Sequence, residues 1–172
     1  MQKVRIIPTL LYNNSLVKGK NFKSWRVVSD LHTMIRLYNL REVDELIFFD
    51  VNAGENNIID FELIDQFADE CFVPLTIGGG VKSLYHIENL LKVGADKICI
   101  NTASVKDPEF ILKAIKKYGS QCIVISIDYK INENNQKEVY VESGKKKTGK
   151  LLEEHLKEMS DLNPCEIILT SI

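Results

Sequence analysis

The chain has 172 residues, of which 45% are hydrophobic and 27% charged, with a formal net charge of −2. That is enough chain to bury a sizeable core. The near-neutral balance lacks the basic excess of a nucleic-acid binder, and no apolar run approaches the roughly 20 residues of a membrane span. Met1-Gln2-Lys3-Val4-Arg5 leads directly into a strand-like run, so no signal peptide and a cytoplasmic location are expected. The cysteines Cys71, Cys99, Cys122 and Cys165 are widely spaced and form no CxxC pair, which predicts buried, reduced thiols.

In chain order, Val4–Leu11 reads as a first strand. Ser29-Asp30 can cap a helix carrying Leu31, Met34, Ile35 and Leu37. A second strand is expected over Glu45–Val51, followed by a helix that Asn57 can cap, carrying Ile58, Phe61, Leu63, Ile64 and Phe67. Val73–Ile77 is the third strand. Ser83 can cap the next helix, with Leu84, Ile87, Leu90 and Leu91 inward and Gly94 as its stop. Lys97–Asn101 is the fourth strand, and Asp107-Pro108 is a strong helix start, with that helix ending near Gly119. Cys122–Tyr129 is the fifth strand. The polar stretch Ile131–Gly149 reads as a β-hairpin excursion, and its Lys145-Lys146-Lys147 as a solvated loop. A last helix runs from about Leu151 to Leu162, and Glu166–Ile172 is a sixth strand.

Strands alternating with helices mean parallel strands joined by crossovers. The first strand lacks the GxGxxG turn of a dinucleotide fold. Polar residues at the C-terminal ends of several strands favour a (β/α)8 TIM-type barrel over an open doubly wound sheet. Such a barrel needs roughly 250 residues. The expectation is therefore a single partial barrel domain over residues 1–172, truncated after about strand six, with a hairpin insertion near 131–149.

The strongest local signal is Ile77-Gly78-Gly79-Gly80-Val81-Lys82-Ser83, between a strand and a helix. Glycines let backbone approach a ligand closely, and the helix start points amides at an anion. Asn101-Thr102 adds an amide and a hydroxyl at the end of the neighbouring strand. Together they point to phosphate.

Side chains alternate faces along a strand. Arg5, Ile7, Thr9 and Leu11 share one face, as do Lys97, Cys99 and Asn101; Cys122, Val124, Ser126 and Asp128; and Glu166, Ile168 and Thr170. Pointed inward, these faces bring Asn101, Asp128 and Thr170 to the barrel mouth, where Asp128 is the candidate acid–base group. Asp50 has the weaker claim, being out of phase with Glu45. The same parity gathers Arg5, Glu45, Lys97 and Glu166 at the opposite end, where two cations and two anions require mutual pairing. Such a ring reads either as a stability plug or as a gate on an axial passage. His32, His86 and His155 stand singly on helices, and the sequence calls for no metal and no cofactor.

Arg5-Ile-Ile-Pro, Val17-Lys18-Gly19, Asp44-Glu45-Leu-Ile-Phe-Phe-Asp50, Pro74-Leu-Thr-Ile-Gly-Gly-Gly80, Gly94-Ala-Asp-Lys97, Ile100-Asn-Thr-Ala103, Gly119-Ser-Gln-Cys122, Ile127-Asp128 and Glu166-Ile-Ile-Leu-Thr-Ser-Ile172 resemble the cyclase subunit of imidazole glycerol phosphate synthase, the HisF family of histidine biosynthesis. The resemblance covers the whole chain, with about one small deletion in the first loop, and its motifs fall in order. It implies a lyase-type cyclase working beside a glutaminase (HisH-like) subunit, with ammonia crossing the barrel to a phosphorylated small-molecule substrate. It implies that Gly80, Asn101 and Thr102 hold a phosphate, that Arg5, Glu45, Lys97 and Glu166 form the ammonia gate, that Asp128 is one catalytic aspartate, and that Lys18 matches the lysine of the flexible first loop.

Two departures qualify this resemblance. The family reads Cys-Leu-Asp-Val at the end of its first strand, whereas this chain reads Thr9-Leu10-Leu11-Tyr12. Leucine transfers no proton, so imidazole ring closure by the family's route is in doubt. The family also continues past Thr-Ser-Ile to Asp-Arg-Asp-Gly and a second phosphate site. The leucine beside an intact gate resembles a paralogous branch associated with ammonia delivery for amidination of surface sugars, so acetamidino-sugar formation is the preferred reading over histidine synthesis. The alternatives are a catalytically inactive barrel fragment or a phosphate-binding scaffold.

Overall fold

A computed structural model describes residues 4–20, 24–56 and 58–172. Its elements in chain order are β1 (Thr9–Tyr12), β2 (Leu16–Lys20), β3 (Ser24–Ser29), α1 (Leu31–Leu40), β4 (Leu46–Asp50), α2 (Val51–Asn56), α3 (Phe61–Ala68), β5 (Leu75–Gly78) and α4 (Leu84–Lys92). There follow β6 (Lys97–Ile100), α5 (Thr102–Lys106), α6 (Pro108–Tyr118), a 3-10 turn at Ser120–Cys122, β7 (Ile123–Ile131), β8 (Lys137–Val141), β9 (Lys146–Leu151), α7 (Leu152–Asp161) and β10 (Glu166–Ser171).

The strands β1, β4, β5, β6, β7 and β10 pair in that order, each parallel to the next. This is the curled parallel sheet of a partial (β/α)8 barrel. Between successive strands the chain returns through helices that cover the outer face. There Phe48, Ile77, Ile98, Ile100, Ile123 and Ile125 meet Ile35, Ile64, Phe67, Ile87, Leu90 and Ile111 in one buried apolar cluster. Each such side chain contributes about 1.5–3 kcal/mol on burial, so this layer supplies the main driving force for the crossovers.

Helix starts follow side-chain capping. Asp30 accepts from Thr33 N at 2.9 Å, Ser83 from His86 N at 3.2 Å, and Asp107 from Phe110 N at 3.0 Å with Pro108 in the first turn. At α3 the cap is Asp60, whose Oδ1 accepts from Leu63 N at 2.9 Å. The expected cap Asn57 lies outside the described residues. Replacing Asp60 by Ala removes a cap of the kind worth about 1 kcal/mol. A urea denaturation midpoint unchanged by Asp60→Ala would refute this assignment.

Three departures from the sequence reading stand out. Residues 4–8 are not strand, and the first strand begins only at Thr9. The first connection is not a loop but the antiparallel ribbon β2–β3, paired Val17↔Val27, Lys18↔Arg26 and Gly19↔Trp25. Gly19 lies under the Trp25 ring, where a Cβ would stand 2.3 Å from Cζ3 and the half-buried indole would have to shift. Cys165 is exposed rather than buried; Cys99 is buried, and Cys71 and Cys122 are half-buried. Beyond β7, β8 returns antiparallel with Asp128↔Tyr140, and β9 pairs with β8.

The inward face follows the alternation. Leu11↔Phe49, Phe49↔Gly78, Gly78↔Cys99 and Cys99↔Val124 are register partners, as are Asp128 and Thr170. Hydrogen-bonded rows slant across a barrel. Groups level along the axis are therefore offset in register, which is how Arg5, Glu45, Lys97 and Glu166 meet at one end.

Candidate functional site

At the N-terminal end of the strands these four side chains form a closed ring. Arg5 Nη1 bonds Glu45 Oε1, and Arg5 Nη2 bonds Glu166 Oε1 at 3.0 Å. Lys97 Nζ lies 2.7 Å from Glu45 Oε2 and 2.9 Å from Glu166 Oε1. Each cation touches both anions. Lys97 is 14% exposed and Glu45 8%, whereas Arg5 is 45% exposed, so Arg5 is the solvent-side member. Burial works to lower the pKa of Lys97, but its bonds to Glu45 and Glu166 outweigh it and hold the amine above its ordinary value. Glu166 is the mirror case: burial pushes it up, while Lys97 and Arg5 bring it below the ordinary carboxylate range.

At the other end, Asn101 Nδ2 donates to Asp128 Oδ2 at 3.1 Å. Asp128 is 7% exposed, and burial pushes its pKa up to about 6 against the opposing bonds from Asn101 and Thr170. Thr102 Oγ1 donates to Asn101 Oδ1 at 3.4 Å and accepts Glu142 N at 3.1 Å. Glu142 is anchored by Lys106 at 2.6 Å, and the turn that follows is pinned by Lys130 Nζ to Gly144 O at 3.0 Å. Glu142, Ser143 and Gly144 all have positive φ, so three successive left-handed residues fold this turn back over Thr102.

The glycine run has a structural cause. Gly79 has φ +117° and Gly80 φ +67°. A Cβ on Gly79 would stand 2.2 Å from Asp50 O, and one on Gly80 2.5 Å from Ala53 O. The loop thus lies directly on the β4–α2 turn. Asp50 is committed to that turn, its Oδ1 accepting Asn52 N at 2.9 Å and Ala53 N at 3.1 Å, and burial raises its pKa.

The model of the family described as histidine biosynthesis protein matches residues 5–172. The chain belongs to this family. It is 40% identical over 170 residues to the imidazole glycerol phosphate synthase subunit HisF of Dictyoglomus thermophilum, a match covering 98% of this chain and 68% of that protein. It is 53% identical over 131 residues to a Campylobacter jejuni protein provisionally named imidazole glycerol phosphate synthase subunit hisF2, covering 76% of this chain and 53% of that one. The matched stretch thus spans about half the length of the Campylobacter jejuni relative.

Within this HisF-family frame, the structure brings Arg5, Glu45, Lys97 and Glu166 together at one end, and Asn101, Thr102 and Asp128 at the other. Gly80 lies on the β5–α4 loop beside Ala53. Lys18 does not join them. It sits on the exposed ribbon opposite Arg26, and no hydrogen bond among the described residues links it to Asp128. Pairing with β3 places Lys18 in regular strand, within the connection that follows β1. Leu11 occupies the inward face beside Phe49, in register.

Sequence reasoning missed the Glu142–Thr102 contact and the burial of His155. His155 is fully buried, with Nε2 3.2 Å from Ser104 Oγ and Nδ1 3.2 Å from Glu158 Oε2. The only hint was a histidine inside an apolar helix face, between Leu152 and Met159. Among the described residues, no cluster of three or more His, Cys, Asp and Glu could hold a metal ion, and no helix is long and apolar enough to cross a membrane.

Proposed function

We propose that this chain is a HisF-like subunit that receives ammonia from a glutaminase partner through the axis of its barrel and brings it to a phosphorylated small molecule at the mouth. The carrying observation is the placement of two polar constellations at opposite ends of one inward face: the closed ring of Arg5, Glu45, Lys97 and Glu166, and the Asn101–Thr102–Asp128 group. In this reading the ring is the gate. Gly80, Asn101 and Thr102 hold the phosphate, the side chains donating and the glycine admitting backbone close to the oxygens. Asp128, with a pKa of about 6, is suited to take and return a proton near neutrality.

Leu11 separates this reading from imidazole ring closure. A second acid at that position would share proton transfer with Asp128, and leucine cannot. Delivery of ammonia for acetamidino-sugar formation, with a dedicated amidotransferase as acceptor, therefore fits better than histidine synthesis. The test has two arms. Inorganic phosphate should bind the wild-type chain by calorimetry, with Asn101→Ala or Thr102→Ala weakening it about tenfold, the effect of one lost hydrogen bond. A HisH-like glutaminase should hydrolyse glutamine faster when the chain is added. Phosphate affinity indifferent to both substitutions would remove the phosphate site, and no glutaminase stimulation would remove the partner.

A further inference from the structure

Asn101 precedes α5 but does not cap it: its side chain makes no bond to the helix amides. The side chain turns to Asp128 instead. What fixes the backbone here is Ser104. Ser104 Oγ donates to Asn101 O at 2.7 Å, and Ser104 N donates to the same carbonyl at 2.9 Å. Ser104 is fully buried, and its oxygen is met by fully buried His155 at 3.2 Å. A hydroxyl has one proton. With that proton on Asn101 O, Nε2–H of His155 is the donor to Ser104. The Nδ1 contact with the Glu158 carboxylate at 3.2 Å is then a hydrogen bond only in the doubly protonated ring, a form that burial opposes and Glu158 favours. Glu158 is in turn paired with Lys150 of β9. A continuous polar chain therefore runs Lys150–Glu158–His155–Ser104–Asn101–Asp128, across β9, α7, α5 and the end of β6 to β7.

We propose that Ser104 and His155 are positioning residues that hold the Asn101 turn so that its amide is aimed at Asp128 and the proposed phosphate site. Neither touches a ligand. Ser104 holds the Asn101 carbonyl through both its amide and its hydroxyl, fixing the peptide from which the Asn101 side chain departs, and His155 fixes the Ser104 rotamer from a helix remote in sequence. Leaving the Asn101 side chain unspent on capping is what frees it for Asp128. The purpose of this device rests on the proposed function; its geometry does not.

The test compares Ser104→Ala, His155→Leu, His155→Gln and Asn101→Ala in the full chain. The readouts are the Asp128 carboxyl titration by carbon NMR, inorganic phosphate affinity and the thermal midpoint. The Asn101 bond holds the Asp128 pKa down, so Asn101→Ala should raise its titration midpoint. Ser104→Ala and His155→Leu should raise it too, and Ser104→Ala should add nothing in the Asn101→Ala background. His155→Gln, which keeps an amide donor, should retain most of the wild-type midpoint. Phosphate affinity should fall about tenfold in Ser104→Ala. An unmoved Asp128 midpoint in Ser104→Ala, with only the thermal midpoint lowered, would reduce the pair to core packing and overturn the proposal. If the midpoint moves but the wild type binds no phosphate, positioning stands and the phosphate reading falls. If phosphate binding depends on Asn101 but not on Ser104, the reverse holds. Should His155→Leu not fold, Ser104→Ala, which removes a single oxygen, decides the matter.

Discussion

Lys97→Met is expected to cost the fold about 3 kcal/mol, a magnitude typical of removing one partner from a buried ion group. Methionine preserves most of the volume, so the loss is electrostatic. Glu45 and Glu166 are left facing each other, with only the half-exposed Arg5 between them. The pH dependence follows from the two shifts. Glu166 has its folded pKa below the unfolded value, so its contribution is present above about 4.5 and lost as pH falls through the folded value. Lys97 has its folded pKa above 10.5, so its contribution is complete below that and lost as pH rises through the folded value. The wild-type advantage over Lys97→Met should therefore be largest between about pH 5 and 10 and shrink in acid. Adding Glu45→Gln to Lys97→Met should recover part of the loss by removing one stranded anion. Urea denaturation at several pH values measures all three; a flat difference from pH 3 to 8 contradicts the ring as the cause.

Asp128→Asn is expected to act in the opposite direction. The Asp128 pKa lies at about 6 when folded, against about 3.9 for an unperturbed aspartate. A raised folded pKa means stability that is full below the unfolded value and lost as pH rises through the folded one. At pH 8 the ionised, buried carboxylate then costs the fold at most about 3 kcal/mol. Asparagine has nearly the same shape, keeps an acceptor for Asn101 Nδ2, and carries no charge. The variant should thus be more stable than wild type at pH 8, with the gain vanishing below about pH 4, and it should lose any turnover that needs Asp128 to accept a proton. Equal stability of the two proteins at pH 8 would show that Asp128 is not buried as a charge. A stabilising loss of an acid is the signature of a group kept for chemistry rather than for the fold.

Much of this was readable from strand periodicity. Once Glu166–Ile172 and Lys97–Asn101 are strands, an even spacing places Glu166 with Thr170 and Lys97 with Asn101, and the two ends separate without further information. The helix starts at Asp30, Ser83 and Asp107 were legible because their caps act within three residues. The Asp60 cap was not distinguished from Asn57, since both are short polar side chains ahead of the same apolar run. The β2–β3 ribbon was hidden by its mixed polarity and by Gly19, whose contact with the Trp25 ring appears only once the two strands pair. The Ser104–His155 contact joins residues 51 positions apart on two helices, and no local pattern encodes it.

The ring at the base of the sheet alternates in sign around its circuit: Arg5, Glu45, Lys97, Glu166. Opposed dipoles of this kind largely cancel along their common axis, because the Coulomb contributions of the two signs enter equally. An ion arriving on that axis gains no net attraction at a distance, and on contact must displace one member from two partners at once. If the ring serves as the proposed gate, a small neutral molecule meets neither obstacle and would exchange hydrogen bonds with one member while the others stay closed. The four charges sum to zero, so selection by the proposed gate would rest on contact rather than on long-range attraction.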